Sequence, residues 1–224
     1  MDGATLVWIA LLMALFALSP GVMKPTALVL NLIVAGFAAF RYVRAGQVNF
    51  RLLAAFAATA IPMAFVGGMI HLPGEIYRPV VGVLLWAAAL RLFWSPGQLA
   101  ERTPTPPALW ISLPAGALLG LLAGLTGTGG GIFLSPLILL FGWEAPRRTS
   151  GVAAVFIVCN SLAGLAGDWT GLKSLPPELP VLAAAVGAGA LIGTWLGVSR
   201  LPQRRLLQAL GLVLLAAGVK LVFT

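Results

Sequence analysis

The residues with the clearest chemical potential are Thr126-Gly127-Thr128-Gly129-Gly130-Gly131, in a stretch reading GLTGTGGGIFLSPL. Glycines at this density expose backbone amides without side chains in the way. An oxyanion could then reach several N–H groups at once. Ile132 opens a short apolar segment whose first amides lack internal partners, and a helix start of this kind favours an anion. Thr126 and Thr128 can add hydroxyls. Asn31 and Asn160 are the only asparagines inside apolar segments, and Ser161 follows Asn160. Lys24 stands at the start of an apolar run, where it either reaches the interface or lends positive charge to an anion path. Together, Thr126, Gly127, Thr128, Gly129, Gly130, Gly131, Asn31, Asn160, Ser161 and Lys24 form the expected substrate-binding set.

Other chemistries fit less well. A phosphate loop needs Lys-Ser/Thr after its glycines, and a dinucleotide loop needs a preceding strand and a distant acid. Neither accompanies this motif. Tight helix packing and interhelical hydrogen bonds remain the plainer readings of the glycines and the asparagines. One histidine, one cysteine and six acids in 224 residues offer no catalytic cluster and no metal-ligand set. No enzyme activity, catalytic residue, metal or cofactor is expected. His71 reads as a loop residue. Arg147 and Arg148 read as topology determinants. Cys159 has no partner for an internal disulfide.

These residues must be positioned by membrane helices. The chain is 60% hydrophobic and 9% charged, against about 25% charged in ordinary soluble domains. Nine apolar segments recur, near 4–18, 24–43, 51–70, 77–94, 108–126, 132–142, 150–166, 179–199 and 205–223. Most approach the length that crosses a bilayer as a helix. The sixth is too short to span alone. The expected fold is therefore an all-α polytopic membrane protein with a broken helix at the glycine loop. The net charge of +8 is scattered at segment ends, which points to orientation rather than to nucleic acid. Arg41, Arg44 and Arg51, and likewise Arg200, Arg204 and Arg205, belong inside. The 71–78 turn and the 167–178 loop belong outside, while Glu144–Arg148 fits the inside.

A repeat runs through the chain. An offset of 129 residues carries Asn31 onto Asn160, Leu72-Pro73 onto Leu201-Pro202, Gly82 onto Gly211, Arg44 onto Lys173 and Arg91 onto Lys220. It also carries Ala60, Ala64 and Gly68 onto Gly189, Gly193 and Gly197. Small residues at four-residue spacing let helices approach closely. Basic connections fall on opposite sides in the two halves, so the repeats are expected to be inverted, as in many secondary transporters. The halves are taken as 1–94 and 108–224, joined by a cytoplasmic linker at 95–107. The offset places Gly130 on Met1. The first half should therefore lack its first helix, or begin upstream of the given start.

GLTGTGGGIFLSPLILLFGW followed by SGVAAVFIVCNSLAG resembles the second-half signature of the sulfite exporter TauE/SafE family. ALVLNLIVAGFAAFRYVRAGQVNFRLLAAF is similar to its first half. The resemblance implies a multi-pass inner-membrane permease exporting sulfite or an organosulfonate. Its expected partners are a small anion and the lipid bilayer, with a homodimer left open and no nucleic acid. A structural or accessory membrane subunit without transport of its own is the alternative. On the cradle reading, Gly129→Leu should abolish transport while leaving the fold largely intact.

Overall fold

A computed structural model describes residues 20–71 and 104–199, with the isolated positions 73, 83, 86 and 90. The apolar segments near 4–18 and 205–223, and most of 77–94 and the linker, lie outside the described residues. So do Gly82, Arg91, Arg200, Leu201, Pro202, Gly211 and Lys220. The described residues form helices and no strand. They are α1 (Pro20–Arg44), α2 (Phe50–Met69), α3 (Leu109–Thr126), α4 (Gly131–Phe141), α5 (Pro146–Gly167), a 3-10 turn (Gly171–Ser174) and α6 (Leu179–Ser199). Among the described residues, four stretches are long and apolar enough to cross a membrane: Gly21–Arg44, Phe50–Met69, Leu109–Thr126 and Arg147–Gly167. The chain is thus an all-α protein suited to a bilayer.

The chain divides into two compact units, one comprising 24–71 and 98–175, the other including 176–224. The candidate residues all fall in the first unit. There, Asn49 starts α2, its side chain accepting from the Leu52 amide at 3.1 Å, which satisfies one orphan donor of the first turn. Pro146 starts α5, where its missing N–H costs nothing. Gly127 ends α3 in a left-handed conformation, φ 75°, and donates to the Ala123 carbonyl, a common helix stop.

Packing in this unit is backbone on backbone. Gly116, Gly120 and Gly124 line one face of α3 at four-residue spacing. A Cβ at any of them would collide with the carbonyl of Phe56, Ala60 or Ala64 on α2. Gly68 lies equally close to Gly164 of α5, and Gly167 to the Phe65 carbonyl. Ala60 and Ala64 are fully buried. The expected small-residue face is therefore a packing face, and its complement is a second glycine series on α3. Such surfaces suit a medium in which close contact, rather than water exclusion, drives helix association.

Phe56, Leu119, Leu134, Ile138, Val152 and Phe156 form the core of the unit. Leu134 and Ile138 come from the short helix α4, four residues apart and fully buried, so α4 returns one face to the bundle. Many large apolar side chains point outward instead, among them Phe37, Phe40, Leu118 and Leu162. Trp110 and Trp169 are also exposed, at the start of α3 and just past α5, as suits membrane interfaces.

The turns meet in pairs at the two ends of the unit. Gly151 near the start of α5 packs on the Gln47 carbonyl, and Asn49 donates to the buried Glu144 carboxylate. The arginine-bearing turn after α1 and the Glu144–Arg148 turn thus share one end of the unit. His71 and Asp168 share the other, joined at 2.9 Å.

Candidate functional site

The site is built around the break between α3 and α4. Gly127, Gly129 and Gly130 have φ of 75°, 70° and 77°, a left-handed region that other residues rarely enter. Successive left-handed turns gather backbone amides into a concavity suited to anions. Gly130 is the N-cap of α4, and its carbonyl accepts from Phe133 and Leu134. The amides of Gly131 and Ile132, at the first positions of the helix, have no preceding carbonyl of their own helix to reach.

Side chains from two other helices close on this loop. Asn31 of α1 donates to the Gly127 carbonyl at 3.0 Å. Around Gly129, a Cβ would stand 2.8 Å from Ile157 Cγ2, 3.0 Å from Ser161 Oγ and 3.3 Å from Asn31 Nδ2. The loop, Asn31 and Ser161 therefore converge on one point. Asn160 sits on the same face of α5, one turn after Ile157 and one before Gly164, which meets Gly124 of α3.

Asn160 and Ser161 are fully buried, yet among the described residues Asn160 Oδ1, Asn160 Nδ2 and Ser161 Oγ have no hydrogen-bond partner. Buried polar groups are nearly always paired, so each exception needs an explanation. Two adjacent exceptions, one of them against the glycine loop, make this the candidate site among the described residues. The position of Ser161 also changes the choice of probe at 129. A leucine there would strike both Ile157 and Ser161, so its effect on folding could not be separated from its effect on a ligand. Alanine is the smaller test.

The threonines lie differently from the sequence expectation. Thr126 Oγ1 donates to the Leu122 carbonyl at 2.6 Å and lies 2.9 Å from Thr128 Oγ1. With the Thr126 proton so used, Thr128 is the donor between the two. Their hydroxyls stiffen the loop rather than offering free protons to it.

Lys24 is placed beside the loop but turned away from it. Its backbone lies under Gly127. Its ammonium donates to the carbonyls of Gly67 at 3.2 Å, Gly68 at 2.6 Å and Ile70 at 3.0 Å. It also faces Asp168 at 4.0 Å. Lysine has three protons to give, and all three cap the end of α2, where a cation meets the negative end of the helix dipole. Asp168 is buried, receives the Gly171 amide at 3.2 Å, and connects onward to His71. Nothing in the sequence marks this Lys24–Asp168–His71 cluster, because 24, 71 and 168 have no common spacing. The glycine series 116, 120 and 124, absent from the expectations above, is legible by its spacing.

Among the described residues, no group of acids, histidines or cysteines is arranged to hold a metal. What the site can do is hold a small oxyanion with backbone amides and neutral side-chain donors.

Comparison with known proteins agrees with a transport role. The family model described as Sulfite exporter TauE/SafE matches residues 3–221. The chain is 37% identical over 214 residues to "Probable membrane transporter protein y4hK" of Sinorhizobium fredii, covering 94% of this chain and 87% of that one. It is 26% identical over 228 residues to "Probable membrane transporter protein YjnA" of Bacillus subtilis, with 94% and 89% covered. A "Probable membrane transporter protein" of Xylella fastidiosa is 33% identical over 118 residues, 51% of this chain and 44% of that one. No solved structure matches.

Proposed function

Because the chain belongs to the sulfite exporter TauE/SafE family of membrane transporters, we propose that it exports a small sulfur oxyanion, sulfite or an organosulfonate, across the inner membrane. It does so as a multi-pass carrier whose two inverted halves rock about the site in alternating access. The substrate sits at the Gly127–Gly131 loop, against Asn31 and Ser161, with Asn160 on the same face of α5. One observation carries the reading: among the described residues, Asn160 and Ser161 are buried without partners, Ser161 against a left-handed glycine turn between two apolar helices. Irregular backbone within a bilayer is tolerated where it is enclosed by protein or lines a cavity. Lys24 contributes by fixing α1 against the end of α2, so that Asn31, seven residues on and on the same face, meets the loop.

The test is Gly129→Ala. The new methyl group occupies the space between Ile157, Ser161 and Asn31, and the alanine backbone is held at a positive φ. Sulfite efflux from proteoliposomes containing this variant should fall at least about tenfold, a rise of about 1.4 kcal/mol in the barrier. Wild-type flux would remove the loop from the transport path.

A further inference from the structure

We infer that His71 and Asp168 form a proton-binding site, and that its proton helps hold α1, α2 and α5 together at the end of the unit away from the arginine-bearing turns. The inference goes beyond the anion reading above and stands or falls without it.

The carbonyls that end a helix have no partner within it. Four consecutive ones at the end of α2 are met by two side chains. The Lys24 ammonium donates to Gly67, Gly68 and Ile70. The fourth, the Met69 carbonyl, lies 3.0 Å from His71 Nδ1. A carbonyl only accepts, so Nδ1 carries the proton of that contact. A neutral imidazole has one N–H and one bare nitrogen. With its proton on Nδ1 its bare nitrogen is Nε2, which faces Asp168 Oδ1 at 2.9 Å. A bare nitrogen and a carboxylate oxygen repel at that distance. One further proton between them turns the contact into a hydrogen bond, whichever of the two atoms carries it. That proton belongs to the pair.

The surroundings suit a proton taken from the medium. The His71 side chain is 56% exposed and that of Asp168 only 2%. The ring can exchange protons with water, while the carboxylate it meets is sealed. Asp168 Oδ1 also receives the Gly171 amide, and Oδ2 faces Lys24 at 4.0 Å. Among the described residues, the charged groups on the ring's side are therefore Asp168, from the end of α5, and Lys24, from α1. Lys173 and Glu178, on the connection after α5, are exposed. Glu75 and Arg78 lie outside the described residues. The negative end of the α2 dipole favours the charged ring. The helices joined here also carry the polar contacts of the glycine loop, Asn31 on α1 and Ser161 on α5. Opening of this end is thereby tied to the pH of the compartment it faces.

An imidazole changes charge between about pH 5 and 8. At the acid end both ring contacts are hydrogen bonds. As the pH rises the shared proton leaves and the Nε2 contact turns repulsive, so the stabilisation is present at low pH and lost at high pH. The experiment is thermal unfolding of the purified full chain in detergent, without a histidine tag, from about pH 5.5 to about pH 8. His71 is the only histidine in the chain, so an imidazole contribution has one source. The wild-type midpoint should fall by at least about 3 °C across this range. His71→Gln, which cannot take up a proton here, should remove most of that fall. Asp168→Asn should do the same, because its amide can donate to the bare Nε2. A wild-type midpoint that does not fall would overturn the inference, as would a fall that persists in His71→Gln. A fall that persists in Asp168→Asn would also overturn it, since the proton would then belong to the ring alone.

Discussion

Lys24→Met should destabilise the protein by about 3–5 kcal/mol, the cost of breaking a buried charged pair by removing one partner. The side chain is of similar length and more apolar, so lost packing volume contributes little. Lost bonding contributes most. Three carbonyls at the end of α2 lose their common donor, and the negative end of that helix loses its cation. Asp168, itself 1% exposed, keeps only the Gly171 amide and His71. Lys24→Arg should restore little, because a planar guanidinium cannot cap three carbonyls grouped around a single nitrogen. Thermal unfolding in detergent measures the loss. Combining Lys24→Met with Asp168→Asn should cost less than the two changes separately, the mark of direct coupling. An unchanged unfolding midpoint in Lys24→Met would show that the ammonium is not what joins α1 to α2.

Gly120→Val should be of similar size, about 3 kcal/mol, at the upper end for overpacking. A Cβ at 120 meets the Ala60 backbone, with Cα at 2.5 Å and C at 2.6 Å, not a side chain that could swing aside. Helix α2 itself would have to move, taking with it Gly68 and its contact on α5. Trimming the opposing residue with Ala60→Gly should therefore fail to rescue the variant. Gly36→Val is the matched control. A Cβ at that position on α1 would have nothing within 4 Å, so the same substitution there should leave the unfolding midpoint nearly unchanged. Equal behaviour of the two variants would mean that the α2–α3 contact is not tight.

Much of this architecture was legible in the sequence because membrane helices declare themselves by length and apolar content. Expected segments 51–70, 108–126 and 179–199 correspond to Phe50–Met69, Leu109–Thr126 and Leu179–Ser199. The segment too short to span, 132–142, is the 11-residue helix Gly131–Phe141. The break at Gly127–Gly130 was legible because glycine is what left-handed backbone requires. Partner choice was not. Thr126 and Thr128 read as donors toward a ligand, yet they are close enough to satisfy each other. Lys24 read as a residue of the interface or of the anion path. Its real partners are carbonyls more than forty residues away, and carbonyls leave no mark in a sequence. Asn31 and Asn160 look alike in the repeat, but one is bonded to the loop and the other is unpaired. Symmetry of sequence thus did not extend to symmetry of bonding.

The unpaired amide and hydroxyl of Asn160 and Ser161 also bear on how this protein should be engineered. Selecting variants for heat tolerance in detergent rewards any change that removes a buried polar group with nothing to bond. Alanine at Ser161 or the similarly sized leucine at Asn160 would rise early in such a selection. They would yield a sturdier protein and, if the anion binds at the glycine loop, a poorer carrier. Stability and activity are then in conflict at two identifiable codons, and a useful library would hold both fixed while varying the rest of α5.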